Sequence, residues 1–248
     1  MTIKNLKKRL DCLLVDKKIV ETRSKASELI KKGKVKVEGK TIVKPGKLVN
    51  PASRIEIEKD KFFYVSRAGE KLAYALEKFN INVANKICLD VGSSTGGFVD
   101  CLIKNGAKIV YAVDVGQNQL HSSLRKNKKV RVFENTDIRN FSLPKNKKVN
   151  LITVDISFIS VKLILPILKK FLLPNAEIIV LIKPQFEVGR KYLNKKGVVK
   201  DFSVVEKIIK EIIQTATQAG FLPQGLITSP IKGKEGNQEF LLYLKWTS

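Results

Sequence analysis

Lys86-Ile87-Cys88-Leu89-Asp90-Val91-Gly92-Ser93-Ser94-Thr95-Gly96-Gly97-Phe98 decides the fold. Its first half is an apolar run carrying one acid, the pattern of a buried strand. Its second half is a small-residue turn that leads into a helix at Gly97-Phe98. Further along the chain, apolar runs predict strands at 108–115, 130–134, 149–155 and 176–183. Helical spacing predicts helices at 70–79, 97–104, 160–171 and 203–219. After Gly220 two strands, 221–229 and 238–246, follow one another with no helix between. The expected fold class is α/β, a Rossmann-like doubly wound sheet, mostly parallel, with an antiparallel terminal hairpin.

The N-terminal segment reads differently. Leu6, Leu10, Leu13 and Leu14 recur at helical spacing, and Ser24 is placed to cap a second helix that Gly33 stops. Val35-Lys36-Val37 and Ile55-Glu56-Ile57-Glu58 alternate as strands do. Residues 1–65 carry 18 basic and 8 acidic side chains, and the other 183 carry 29 and 15. The charge density and the change of pattern place a domain boundary at 61/62. A small α+β binding module, 1–61, is expected to precede the larger domain, 62–248.

The glycine turn points to a ligand. Its spacing is not the dinucleotide fingerprint, and no Gly-Lys-Ser/Thr follows, which excludes a phosphate-binding P-loop. An acid at Asp90 would repel a pyrophosphate, whereas it suits the sulfonium and ammonium of S-adenosylmethionine. Asp114 ends the next strand, 22 residues after Gly92, where a carboxylate can accept both ribose hydroxyls. Asp137, after the third strand, is placed for the adenine edge. The expected cofactor-binding set is Asp90, Gly92, Ser93, Ser94, Thr95, Gly96, Gly97, Phe98, Asp114 and Asp137.

Polar side chains also close the longer apolar runs. Asp155 ends Leu151-Ile152-Thr153-Val154, and Lys183 ends Ile178-Ile179-Val180-Leu181-Ile182. Ligands bind at that carboxyl edge in open α/β sheets. Glu239 opens the last strand, and if that strand is antiparallel it starts at the same edge. A lysine at a buried strand end is costly to desolvate as a cation, so its pKa is expected to fall. That would make Lys183 a general base for a weakly acidic hydroxyl, with Asp155 and Glu239 orienting it. Methylation of a pyrimidine C5 would need a nucleophilic cysteine at a carboxyl strand end, and none is there. Methylation of an amino group commonly uses Asn/Asp-Pro-Pro-aromatic after the fourth strand, but Asp155 is followed by Ile156-Ser157-Phe158. A ribose hydroxyl fits best.

Composition narrows the partners. A net charge of +24 over 248 residues favours a polyanion. Three scattered cysteines, Cys12, Cys88 and Cys101, make no disulfide framework, and with one histidine, His121, they make no zinc site. No metal, no membrane and a reducing cytoplasm are expected. The longest charge-free run, 212–231, is broken by Gly220, Pro223 and several glutamines, so it is no membrane span.

Five ordered motifs resemble the TlyA family across essentially the whole chain. They are Ser66-Arg67-Ala68-Gly69-Glu70-Lys71-Leu72, the Asp90–Phe98 turn, Asp155-Ile156-Ser157-Phe158-Ile159-Ser160, Leu181-Ile182-Lys183-Pro184-Gln185-Phe186-Glu187 and Gly236-Asn237-Gln238-Glu239. The resemblance implies an FtsJ-like, S-adenosylmethionine-dependent ribosomal RNA 2′-O-ribose methyltransferase, of a family often named haemolysins. It implies a Lys-Asp-Lys-Glu tetrad at Lys71, Asp155, Lys183 and Glu239, and a cytidine target in 23S, sometimes also 16S, RNA. The sequence departs from the family pattern at Ala68, commonly glycine, and at Gln117-Asn118, more usually Tyr-Gly. Residues 4–60 resemble the small RNA-binding domain of a ribosomal small-subunit protein (S-four-like). There Arg23, Lys25, Lys31, Lys32, Lys34 and Lys36 would contact phosphates of ribosomal RNA or a ribosomal subunit. Phe62, Phe63, Tyr64 and Phe158 are candidates for stacking or packing, and His121 reads as a surface residue. A non-catalytic RNA-binding assembly factor and a membrane-active haemolysin are the competing classes.

Overall fold

Apolar side chains recurring along the runs between 87 and 182 build the centre of a seven-stranded sheet, described by a computed structural model. The structure describes residues 7–20, 22–57 and 64–247, without the side chains of Lys25 and Asn146. Leu6, Glu58, Phe62 and Phe63, and the boundary expected at 61/62, lie outside the described residues. By its internal contacts the chain divides into two units, 1–61 and 62–248.

The first unit runs β1 (Lys8–Arg9), α1 (Leu10–Asp16), α2 (Arg23–Lys31), β2 (Val35–Val37), β3 (Lys40–Ile42), β4 (Leu48–Val49) and β5 (Ile55–Ile57). β2 lies between β3 and β5, antiparallel to both. Leu10, Leu13, Leu14, Ala26, Ile30, Val35 and Val37 form its core. The cap of α2 differs from expectation: the Thr22 carbonyl accepts the Ala26 N–H, so Ser24 lies in the first turn. Asp11 is almost fully buried between Arg9 at 3.0 Å and Arg23 at 3.1 Å. The Arg9 hydrogen bond, with that of Arg23, holds the Asp11 carboxyl far below the usual range. Asp11→Ala would leave both guanidiniums without this acceptor and is expected to cost about 1–3 kcal/mol. Urea unfolding of the full chain, followed at this unit's amide signals, checks it.

The second unit opens with α3 (Ala68–Lys78), β6 (Ile87–Val91), α4 (Gly97–Lys104), β7 (Ile109–Val113), α5 (Ser122–Arg125) and β8 (Val130–Phe133). It continues with β9 (Val149–Val154), α6 (Leu165–Leu168), β10 (Leu172–Ile182), α7 (Pro184–Glu187), α8 (Phe202–Gln218), β11 (Phe221–Thr228) and β12 (Phe240–Trp246). The sheet order is β11-β12-β10-β9-β6-β7-β8. The run from β10 to β8 is parallel, and β12 is antiparallel to both β10 and β11. Leu89 and Val91 of β6 enter the core beneath α8, while Cys88 enters the core beneath α3 and α4. Burial on both faces explains why these strands read as continuous apolar runs.

Several elements depart from expectation, α7 (Pro184–Glu187) among them. Residues 160–171 are not one helix: a 3₁₀ turn (Val161–Leu163), the four-residue α6 and a second 3₁₀ turn (Lys169–Phe171) replace it. Pro166 has no N–H to close a helical bond to Lys162, which breaks the run. β10 therefore starts at Leu172, four residues early, with an irregularity before Glu177 where Asn175 takes φ +59°. The short α5 was not expected. Its cap is His121, whose Nδ1 accepts the Ser123 N–H at 3.3 Å.

Candidate active site

β6 sits at the centre of the parallel run, with β7 on one side and β9 on the other. The order of the chain reverses there, which opens a crevice at the carboxyl edge. A cavity of about 430 Å³ occupies it, lined by Gly92, Ser94, Asp114, Asp137, Asp155 and Phe158 among others. Gly92 has φ +83°, and a Cβ there would stand 2.6 Å from the Asp155 carbonyl oxygen. Only glycine lets the turn lie so close to the strand beside it. Gly92→Ala is expected to cost about 1–3 kcal/mol and to push Asp155 out of place. Thermal unfolding with and without S-adenosylmethionine checks both effects.

The cofactor candidates separate into groups. Asp114 accepts the Ser94 N–H at 2.7 Å and the Gly116 N–H at 2.6 Å, which fixes its carboxylate at the cavity wall. Asp137 is gripped by Arg139, which also lines the cavity, and this pairing lowers its pKa. Asp90 does not line the cavity: it is fully buried in β6, where Thr153 donates to one carboxyl oxygen at 2.6 Å and the other has no hydrogen-bond partner. Burial pushes its pKa up to about 8. Ser93, Thr95, Gly96, Gly97 and Phe98 are also absent from the cavity wall. A Cβ on Gly96 would meet Leu124 and Leu120, and one on Gly97 would meet Ser66 and Ala68. Phe98 is buried in the core. These last three build the packing of α4 against its neighbours. The glycine turn with its close approach, the fixed Asp114 carboxylate and the buried Asp90 oxygen with no partner fit an adenosyl cofactor that carries positive charge.

Three polar residues at strand ends and Lys71 of α3 form two ion pairs. Asp155 immediately follows β9, Lys183 immediately follows β10, and Glu239 immediately precedes β12. The Ile182–Phe240 register sets Lys183 beside Glu239. Lys183 Nζ lies 2.6 Å from Asp155 Oδ1 and donates to Ser157 Oγ at 2.9 Å. Lys71, on α3, is ion-paired with Glu239, and both side chains are buried. α3 reaches that position because Gly69 lets it lie against Tyr64 and the Gly97 carbonyl, where a Cβ would clash.

Several neighbours carried no signal strong enough to be singled out from the sequence. Ser157 is one polar residue among many. Arg139 and Thr153 matter only through partners on other elements. Glu134 accepts the N–H groups of Asn118, Gln119 and Leu120, and its bond from Arg125 holds its carboxyl down to about 2. It thereby shapes the segment that brings Gln119 to the cavity. Asn118, where the family more usually has glycine, has φ +54°, a conformation asparagine tolerates. Phe158 is 91% exposed at φ +69° and touches Phe186, with ring centroids 5.0 Å apart.

In the first unit, Arg23 is engaged by Asp11 and Lys32 by Glu28 at 2.6 Å, so neither is simply held out for phosphate. Lys31 is exposed, while Lys34 and Lys36 are half-buried. The side chain of Lys25 lies outside the described residues. Among the described residues there is no helix long and apolar enough to cross a membrane, and no cluster of three or more His, Cys, Asp or Glu that could hold a metal ion.

Comparison with known proteins matches residues 64–246 to the FtsJ-like methyltransferase family and residues 8–55 to the S4 domain. YqxC of Bacillus subtilis, which carries the provisional name of an rRNA methyltransferase, is 44% identical, over 97% of this chain and 86% of the relative. The 23S rRNA (cytidine-2′-O)-methyltransferase TlyA of Campylobacter jejuni is 40% identical, over 92% of this chain and 96% of the relative. A solved structure from Streptococcus thermophilus bearing a hemolysin name superposes with TM-score 0.77 at 39% identity, over 98% of this chain and 90% of that one. The chain therefore belongs to the FtsJ-like methyltransferase family, among the TlyA proteins, and carries an S4 domain ahead of its methyltransferase domain.

Proposed function

We propose that the protein methylates the ribose 2′-hydroxyl of a cytidine in ribosomal RNA, in the 23S molecule, with S-adenosylmethionine as donor. The observation that carries this reading is the pair of lysine–carboxylate bridges, Lys183–Asp155 and Lys71–Glu239, set at the carboxyl edge beside the cavity of Gly92 and Asp114. Bound in that cavity, the cofactor supplies a methyl group on a positively charged sulfur. The chain's residues do the rest. Asp114 and Asp137 orient the nucleoside part, and Asp90 answers positive charge from beneath the turn. As the neutral amine, Lys183 would take the 2′-hydroxyl proton on Nζ while that oxygen takes the methyl group and the carbon–sulfur bond breaks, the sulfur leaving as a neutral thioether; Asp155 holds the amine in place. Lys71 and Glu239 fix the rim and the sugar. Exposed Phe158, at the mouth of the cavity, offers a face on which the target base stacks. The lysines of the S4 domain contribute phosphate contacts that position the RNA.

Incubating the protein with labelled S-adenosylmethionine and isolated ribosomal subunits tests this. Label entering the 23S RNA is the expected result, with 16S RNA measured in parallel. Salt-sensitive RNA binding without any label in either subunit would instead favour a non-catalytic assembly factor.

A further inference from the structure

Beyond the tetrad, two loops leave the catalytic edge, and a single buried side chain ties them together. Residues 188–200 follow α7, just past Lys183, and contain five cations and no carboxylate. Residues 230–237 lead into Glu239 and carry two lysines and one exposed acid, Glu235. Asn237, 4% exposed, joins the two: its Nδ2 donates to the Gly197 carbonyl at 2.9 Å, and its Oδ1 accepts the Val199 N–H at 3.0 Å. Each loop is also built from within. Asn194 Oδ1 accepts the N–H groups of Lys196 and Val198, Leu193 bridges Val199, and Gly233 N–H donates to the Asn237 carbonyl. Gly233 lies against the Glu239 carboxylate, where a Cβ would come within 2.7 Å of Oε1. The pinned loops hold Arg190, Lys191, Lys195, Lys196, Lys232 and Lys234 exposed, and among the described residues none of the six forms an ion pair. Holding so many like charges on an ordered rim is unfavourable by itself and is relieved by a polyanion.

We infer that these two loops, locked by Asn237, form a binding site for the RNA phosphodiester backbone flanking the target nucleotide. The inference rests on the proposed function and deepens it. Asn237 is a positioning residue in this scheme: it touches no substrate but sets where the lysines stand relative to Glu239. A flexible basic loop would supply attraction alone, whereas a pinned one also fixes the register of the strand over Lys183.

The test uses the full chain with isolated ribosomal subunits. Lys191→Ala/Lys195→Ala/Lys196→Ala is expected to raise KM for the RNA about tenfold or more at moderate salt. It should also lower the slope of log affinity against log salt by about 2–3, while affinity for S-adenosylmethionine stays as in the parent. Asn237→Ala keeps every cation and is expected to raise KM with the salt slope unchanged. The triple substitution Lys108→Ala/Lys128→Ala/Lys147→Ala, on the loops before β7, β8 and β9 at the opposite edge of the sheet, removes the same charge and is expected to do less. Equal losses from the two triple variants, or an unaltered KM and salt slope in the first, would overturn the inference. If the parent protein methylates no RNA, the proposed function itself fails, which is a separate outcome.

Discussion

A Lys183→Ala variant is expected to transfer methyl groups about 10²–10⁴-fold more slowly than the parent, the range associated with loss of a positioned general base. The truncation also leaves Asp155 without its ammonium partner at 2.6 Å, so lost activity could reflect a disturbed edge. Lys183→Arg separates the two effects. A guanidinium keeps the positive partner for Asp155 but cannot give up its proton to become a base. The arginine variant should fold, bind S-adenosylmethionine as the parent does, and remain as slow as the alanine variant. Single-turnover methyl transfer at saturating RNA, with thermal unfolding alongside, provides both readings. Activity near the parent's in Lys183→Arg would remove proton abstraction from this residue and leave it a purely electrostatic part.

Asp90→Asn is expected to have the second largest effect, and in opposite directions on stability and binding. Burial raises the folded-state pKa of Asp90 to about 8, above the 3.8 of the free group. Between those values the folded protein holds a proton that the unfolded chain has lost. The contribution of Asp90 to stability is therefore full below about pH 4 and declines as pH rises towards 8, by at most about 1.4 kcal/mol per pH unit. An asparagine does not titrate and keeps a carbonyl for the Thr153 hydroxyl. The variant should be more stable than the parent at pH 8, by up to a few kcal/mol, with a flatter pH profile. On the proposed function, the same substitution also removes the carboxylate that forms when the cationic cofactor binds, so affinity for S-adenosylmethionine should fall about tenfold or more. Binding by the parent near pH 7 should release a proton, detectable by calorimetry in buffers of different ionisation enthalpy, and the variant should release none. Parallel pH–stability profiles for parent and variant would contradict this account of the buried acid.

The two behaviours of Asp90 and Lys183 also mark what the sequence could and could not disclose. Strand ends were legible because apolar runs such as 178–182 stop abruptly at a polar residue, so Lys183 and Asp155 announced an edge. That Lys183 would meet Asp155 and Ser157, and Lys71 meet Glu239, depends on the order β12-β10-β9 and on where α3 lies, neither of which local spacing encodes. The glycine turn shows the same division. Its existence was plain, but Gly96, Gly97 and Phe98 turned inward because Leu120, Leu124 and Ser66 close in from elsewhere in the chain. At 160–171 the apolar spacing that suggested a helix belongs to side chains that are all in the core, Val161, Ile164, Leu165, Leu168 and Phe171. A chain of short turns can satisfy that spacing as well as one helix can, and Pro166 selects the turns. In the S4 domain, the count of basic residues said nothing of Asp11, whose burial engages Arg23. Long-range pairing, rather than any weakness of local pattern, limits each of these cases.

In the proposed reaction the methyl group ends on a sugar oxygen. Labelled large subunits, stripped to RNA and hydrolysed in alkali, decide it directly, because a 2′-O-methyl group removes the nucleophile that cleaves the adjacent phosphodiester. The label is expected in an alkali-resistant dinucleotide which digests further to 2′-O-methylcytidine. Label recovered in an alkali-labile mononucleotide, methylated on the base, would contradict it.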